Sequence, residues 1–398
     1  MKKRKSSKGL RKWHKWTGLI FAFFMLMFAS SGILLNHRKS ISSLDVPRSI
    51  LGKAYSYDNW NRGTVKSSFK LSADSILLYG SNGIWLTDTF HLEFSPFVNG
   101  IRHGADNNIV NNIVRTNAGE IFAVTTFDLY RLHLPSYKWI NISQTALPRE
   151  RLSDIAVQND SLILMSRSHL YASVPPYTNF NKIELPAPEG YEKEASLFRT
   201  MWTLHSGELF GFIGKLVVDI LGVFVIILCI TGIVLTFFPN IIRRKKKKGK
   251  NTKGNTAFFR GSLKWHNKIG VWLFPLLLIL VVSGTFLRPP LLISIIRSKS
   301  KPIPGTILDS NNPWHDKLRC LQYANDEWLL YSSSGFYYTN RLDTEPQKLK
   351  NAPPVSVMGV NVLHKQDSSN WVVGSFSGIY LRGGMLLGFF FSLARIYK

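Results

Sequence analysis

Three stretches of this chain are nearly pure hydrocarbon, and each is about as long as a bilayer is thick. They cover about Trp16–Leu35, Leu216–Phe238 (LVVDILGVFVIILCITGIVLTFF) and Ile269–Leu287 (IGVWLFPLLLILVVSGTFL). A helix needs about 20 apolar residues to cross the hydrocarbon core, where its backbone polar groups find no water. The runs therefore predict three membrane helices and leave any sheet to the segments between and after them. A mean hydropathy of 0.00 hides this, because the remaining sequence is ordinary and polar.

Charge orients the spans. The chain of 398 residues carries a net charge of +26. Residues 1–15 hold eight Lys/Arg and residues 241–264 hold ten, with no acid in either patch. Basic runs beside a span mark its cytoplasmic end. The N-terminus is expected inside, residues 36–205 outside, and everything after the third span outside again. The same rule accounts for KKRK near the start without a nucleic-acid partner, since juxtamembrane basic runs face anionic lipid. The expected divisions are a basic N-terminus (1–15), a first span (16–35), an outer β segment (36–205), and a second span with its entry (206–238). A basic loop (239–266), a third span (267–288), a second outer segment (289–381) and an irregular tail (382–398) follow. Pro239 is expected to stop the second span, Pro275 to kink the third, and Pro289-Pro290 to end it. Lys215 and Asp219 stand at i,i+4 and predict a self-satisfied pair at the membrane edge. Small residues at Ala29-Ser30-Ser31 suit a signal-peptide cleavage site, but the apolar run continues to Leu35, so the first span is expected to stay.

Cysteine usage excludes several chemistries. Cys229 lies inside a span, so a disulfide to Cys320 is not expected. No C-x-x-C-H is present for covalent haem, and no cysteine set suits an iron–sulfur cluster or structural zinc.

The outer segments repeat a short pattern: ILLYGSNGIW (76–85), IFAVTTFDLY (121–130), LILMSRSHLY (162–171), WLLYSSSGFY (328–337) and WVVGSFSGIY (371–380). Two positions before each aromatic end stands Gly83, Asp128, His169, Gly335 or Gly378. Gly and Asp tolerate positive φ, so each copy reads as strand, tight turn and strand. The ends are 45, 41, 166 and 43 residues apart. A spacing of about 40–45 residues is that of four-stranded propeller blades. The long gap holds the second and third spans, so a propeller-like array is expected to be split by a membrane hairpin. LPRERLSDIAVQNDSLILMSRSHLY (147–171) resembles blades of extracytoplasmic sensor propellers. Plain antiparallel sheets whose strands look alike are the competing reading. His91, His103, His133, His169, His315 and His364 fall in these segments and read as surface or sheet residues.

The other four histidines border the spans. LRKWHKWTGLIFAFFMLMFASSGILL (10–35) aligns with LKWHNKIGVWLFPLLLILVVSGTFL (263–287). Both have Lys-Trp-His, Gly four residues on, and Ser-Gly seventeen residues after the His. His14 and His266 are thus equivalent in an internal duplication and share the cytoplasmic side. His37 and His205, the latter in LHSGELFG (204–211), share the outer side. Two opposed neutral imidazoles complete a six-coordinate haem. Gly18, Gly32, Gly211, Gly214, Gly270 and Gly284 would allow close approach, and Lys15, Lys268 or Arg288 would neutralise propionates. The competing reading is that Trp-His at a membrane surface is an interfacial anchor. Two spacings strain the haem reading. His14 and His37 lie about 34 Å apart along a helix rising ~1.5 Å per residue. His205 precedes Leu216 by eleven residues.

The motifs KWHKWTGL…SSGILL, LHSGELFGFIGKLVVDILGVFVIILCITGIVLTFFP and KWHNKIG…VVSGTFL, in that order, resemble the PepSY-associated transmembrane proteins. The resemblance covers the three spans and their flanks. It implies a duplicated unit building a four-helix membrane core, association with iron uptake, and likeness to haem-containing ferric-siderophore reductases of the bacterial inner membrane. It implies haem b bound in two copies by His14 with His266 and His37 with His205. Two departures stand out: no clear PepSY domain occurs in the outer segments, and the tail GGMLLGFFFSLARIYK offers an apolar run of only ten residues. A truncated or frameshifted fourth helix is the corresponding expectation, with a homo-oligomer as one way to supply it.

The expected fold is thus a membrane α-helical protein with three spans plus an all-β extracytoplasmic domain. Two functions compete. One is electron transfer across the lipid bilayer to reduce a ferric complex outside. No Gly-rich dinucleotide motif is present, so the donor would be quinol or a protein. The other is a non-enzymatic anchored sensor or scaffold binding a periplasmic ligand. A transporter would need more helices, and no nucleic-acid partner is expected.

Overall fold

The computed structural model describes residues 2–45, 50, 52, 64–143, 150–355, 359–365, 371–375 and 378–382. The expectation for the tail falls on residues 383–398 and lies outside them. The chain forms two compact units, one of residues 1–41 with 193–309 and one of residues 42–192 with 310–398.

The first unit is helical. Its elements are α1 (Lys2–Asn36), α2 (Leu197–Ser206), α3 (Gly211–Lys247), α4 (Lys253–Thr285) and the short α5 (Leu291–Ile295). Among the described residues, three segments are long and apolar enough to cross a membrane: Lys8–Asn36, Glu208–Lys247 and Lys253–Thr285. They leave large apolar side chains such as Phe21, Phe23, Phe28, Val271, Trp272 and Phe274 exposed, which a lipid environment accommodates.

The helix that carries the second span does not stop at Pro239. α3 continues two further turns to Lys247, and α4 starts at Lys253. The basic stretch between the spans is thus mostly helix, with a connection of only Lys248–Thr252. Lys and Arg are good helix formers, and Arg244–Lys247 place cations at the negative end of the helix dipole. α4 runs unbroken through Pro275. α3 packs against both α1 and α4. At Gly222 a Cβ would meet the end of the Ile33 side chain of α1 at 3.1 Å, so the two helices approach closely there.

The entry to α3 is a backbone corner. α2 ends at Gly207, whose φ of 78° is the left-handed cap conformation. A 3₁₀ turn, Glu208–Phe210, follows, and Gly211 (φ 65°) starts α3. A Cβ on Gly207 would lie 2.2 Å from the Gly214 carbonyl oxygen, and one on Gly214 would lie 2.1 Å from that of Gly207. The two backbones touch, so both positions require glycine. This corner explains how His205 can precede the span by eleven residues: it sits on its own helix, folded back. A two-stranded pairing of Ala195–Ser196 with Lys299–Ser300 ties the start of α2 to the segment after α5.

The second unit is all β. Five antiparallel sheets follow one another, each an up-and-down meander. The first spans Ser67–Lys70, Ser75–Gly80, Gly83–Asp88 and Phe94–Pro96. The second spans Val110–Arg115, Ile121–Thr125, Leu129–His133 and Lys138–Asn141. The third spans Leu152–Gln158, Ser161–Ser166, Leu170–Ser173 and Asn181–Ile183. The fourth spans Leu318–Ala324, Glu327–Ser332, Gly335–Thr339 and Gln347–Lys348. The fifth has three strands, Val360–Lys365, Trp371–Ser375 and Gly378–Arg382.

Every copy of the repeated pattern falls on the second and third strands of a sheet. Gly83, Gly335 and Gly378 have φ of 85°, 127° and 140° and turn the chain as expected. Asp128 and His169 do not use positive φ. Their connections are one residue longer, and the hydroxyls of Thr125 and Ser166 accept their N–H groups at 3.1 and 2.8 Å. Buried side chains join neighbouring sheets. Ile113 and Trp139 pack with Leu77 and Ile84; Ile155 and Leu164 with Phe122 and Leu129. Ile163 and Met165 meet Leu321 and Trp328, which stand beyond the membrane hairpin in sequence. The hydrogen-bonded pairings make separate sheets, not a closed barrel.

One buried polar hub stitches the sheets together. Asp154 Oδ1 accepts from Asn112 Nδ2 and the Ile155 amide, both at 2.8 Å, and Oδ2 accepts from the Leu321 amide at 2.8 Å. Asn112 Oδ1 in turn accepts from the Tyr79 hydroxyl at 2.8 Å. Burial raises the Asp154 carboxyl above its usual range and pushes Tyr79 up to about 12, so the phenol stays a donor. Four sheets contribute to this one network.

Candidate functional site

The two copies of Lys-Trp-His stand near the basic ends of α1 and α4, and α3 runs between those helices. The duplication brings its histidines together. The rings of His14 and His266 have centroids 6.2 Å apart, with planes at 61°. A metal–imidazole bond is about 2.0 Å, and a ring centre lies about 1 Å behind its nitrogen, so two imidazoles gripping one ion from opposite sides have centres about 6 Å apart. The pair has that spacing. His266 Nδ1 lies 2.9 Å from the Thr231 hydroxyl of α3. Beside it, a Cβ on Gly232 would be 3.5 Å from His266 Cε1. Lys15 and Lys268 do not reach out; their ammonium groups lie 5.6 and 5.5 Å from the ring centres of Trp16 and Trp265.

The other two span-bordering histidines have partners of their own. His205, half-buried on α2, places Nδ1 2.9 Å from the Leu280 carbonyl and 3.3 Å from the Ser283 hydroxyl of α4. A Cβ on Gly284 would come within 2.8 Å of its Cε1. His37, just past α1, places Nε2 2.7 Å from Asp219 Oδ2. Asn36 donates to the other carboxylate oxygen at 2.9 Å and to the Ser206 carbonyl at 3.2 Å. No ring contact joins His37 to His205 among the described residues. The duplication thus brings one histidine pair into register, while the other two are each docked on a different helix.

The expected Lys215–Asp219 pair is not formed. The corner at Gly207–Gly211 carries Glu208 to Lys215, with Nζ and Oε1 3.1 Å apart. Asp219, buried in α3, instead receives two donors from the end of α1. An exposed salt bridge at i,i+4 is worth little, whereas a buried carboxylate needs partners that satisfy both oxygens.

Asp219, Thr231 and Ser283 are site residues that reading the sequence for histidines missed. A signal existed for two of them: Thr231-Gly232 and Ser283-Gly284 are both hydroxyl–glycine pairs inside spans. No group of three or more His, Cys, Asp or Glu able to hold a bare metal ion occurs among the described residues. Two imidazoles alone under-coordinate a free ion. They suit a metal whose other positions are filled by a macrocycle, so the donor set at His14 and His266 fits haem.

Comparison with solved structures finds weak likeness. One is the extracellular domain of BT4673 from B. thetaiotaomicron, described as a one component system, at 17% identity and a TM-score of 0.24. It covers 29% of this chain and 18% of its own length. A second structure of that domain, described as a hybrid two component system, gives 17% identity and 0.24, covering 29% of this chain and 17% of its own. The chain thus spans under a fifth of either structure. No curated protein matches it. The model of the PepSY-associated TM region matches residues 11–317, most of the chain, and the protein belongs to that family of membrane proteins.

Proposed function

We propose that this protein is a b-type haem carrier that moves electrons across the bacterial inner membrane to reduce a ferric, siderophore-type complex on the extracytoplasmic side. The observation that carries the reading is the His14–His266 pair, whose ring centres stand 6.2 Å apart beside an apolar helix, with no acidic partner among the described residues. When bound, haem supplies reversible one-electron chemistry that amino-acid side chains lack. The chain's own residues do the rest. His14 and His266 would hold one haem from its two sides. His37 and His205 would hold a second, through the nitrogens their present partners leave open, Nδ1 of His37 and Nε2 of His205. The basic patches set the N-terminus inside, where quinol or a protein donates electrons. The five consecutive sheets, with repeats of about 40–45 residues, belong in this reading to a propeller-like outer domain that receives the ferric complex.

The test is purification in detergent after expression with ample haem. A dithionite-reducible, low-spin b-type spectrum is expected, with alanine at either His14 or His266 removing one haem and at either His37 or His205 removing the other. A colourless wild-type protein would sink the proposal and leave an anchored β domain that binds a ligand or partner.

A further inference from the structure

Two helices of the membrane unit present the same small device to a histidine. On α3, the Thr231 hydroxyl lies 2.9 Å from His266 Nδ1 and Gly232 lies beside Cε1, where a methyl would make ordinary contact. On α4, Ser283 and the Leu280 carbonyl face His205 Nδ1 at 3.3 and 2.9 Å while Gly284 leaves room beside Cε1. The dipeptide alone does not make the device. The other two examples, Thr17-Gly18 and Ser31-Gly32 of α1, hydrogen-bond no histidine among the described residues; Thr17 donates to the Trp13 carbonyl at 2.8 Å and Ser31 to the Phe28 carbonyl at 3.2 Å.

The hydrogen bonds decide which ring nitrogen carries the proton. The Thr231 hydroxyl has one hydrogen, and the Ile227 carbonyl of its own helix lies 2.7 Å away to take it. Its oxygen is then an acceptor toward His266. The Ser283 hydroxyl is likewise spent on Ile279, at 2.8 Å, and the Leu280 carbonyl can only accept. Neutral His266 and His205 must therefore both be protonated on Nδ1. Nε2 then keeps its lone pair, and among the described residues neither Nε2 has a hydrogen-bond partner.

We infer that Thr231-Gly232 and Leu280-to-Gly284 are positioning seats, which hold His266 and His205 as Nδ1–H tautomers with Nε2 presented as a metal ligand. The inference deepens the haem reading by naming the groups that orient its ligands. It also stands as a statement about the ring protons alone. Outer partners of this kind fix ring orientation and raise ligand basicity, and their loss typically weakens metal binding by about 10–100-fold.

The experiment uses full-length protein with ¹⁵N-labelled histidine, prepared without haem and recorded where the rings are neutral. The expected spectrum assigns the proton to Nδ1 in His266 and His205. Thr231→Val should move the His266 proton to Nε2, the form free imidazole side chains prefer, and leave His205 unchanged. Thr231→Ser should restore the wild-type pattern. Gly284→Ala should displace the His205 resonances, whereas Gly232→Ala, whose methyl has contact distance available, should leave those of His266 in place. Nε2 protonation of His266 in the wild type, or identical spectra for wild type and Thr231→Val, overturns the inference. If the tautomers are as stated but wild-type protein takes up no haem, the seats stand and the haem reading falls. If haem binds, Thr231→Val should release it about 10–100-fold more readily, and unchanged retention overturns the ligand-orienting role.

Discussion

The Asp154 hub of the β unit and the docked histidines of the helical unit are satisfied to different degrees. In the β unit, both carboxylate oxygens of Asp154 are taken, and Asn112 is occupied at its oxygen and its nitrogen. In the helical unit, each docked imidazole is satisfied at one nitrogen and open at the other. A fully satisfied network holds a fold together. A half-satisfied ring, kept in place at some cost, has something left to bind.

The comparison breaks most visibly if the open nitrogens are not ligands. Alanine at His14 or His266 should abolish one haem's absorbance while leaving the β unit's unfolding transition unshifted. The next effect is on stability. Asp154→Ala strands the buried amides of Ile155 and Leu321 and removes one acceptor from Asn112, and should cost the β unit about 3–5 kcal/mol, read by denaturant titration. Asp219→Asn should cost less, about 1–3 kcal/mol, because the amide keeps one acceptor for His37 or Asn36 while losing the other. It should loosen the end of α1, read by hydrogen exchange there.

A pH series sharpens the same contrast. Burial raises the Asp154 carboxyl in the fold above its unfolded value. Between those two values the folded state holds the extra proton, so stability is greatest at the acid side and falls as pH rises through the window. Asp154→Asn cannot ionise, so its stability deficit relative to wild type should narrow as pH rises through that window. A deficit that widens there would reverse the sign. The smallest effect is expected at Lys215, whose partly exposed pair with Glu208 is worth about 0–1 kcal/mol; Lys215→Met should hardly move the melting temperature.

Much of the architecture was legible because it rests on periodicity. Apolar runs of bilayer length gave the spans, and the aromatic-ended repeats gave the second and third strands of every sheet. The helix of the second span runs on past Pro239, because a proline in the last turns of a long helix is carried by the residues on both sides of it. The left-handed turns held at the three glycines and failed at Asp128 and His169, where a hydroxyl from the preceding strand closes the loop instead. Within the site, duplication pointed to His14 with His266. It said nothing of Asp219, whose partners arrive from residues 36 and 37, or of Thr231, whose partner lies 35 positions away. Such pairings depend on how helices lie against one another, which local spacing does not encode.

The crossing of Gly207 and Gly214 has a consequence for engineering. Where main chain meets main chain, no side chain can be trimmed, enlarged or recharged to tune the corner. Variant libraries aimed at re-orienting His205 should therefore target its seat on the neighbouring helix, since at these two positions selection for folded protein would return the parent residue.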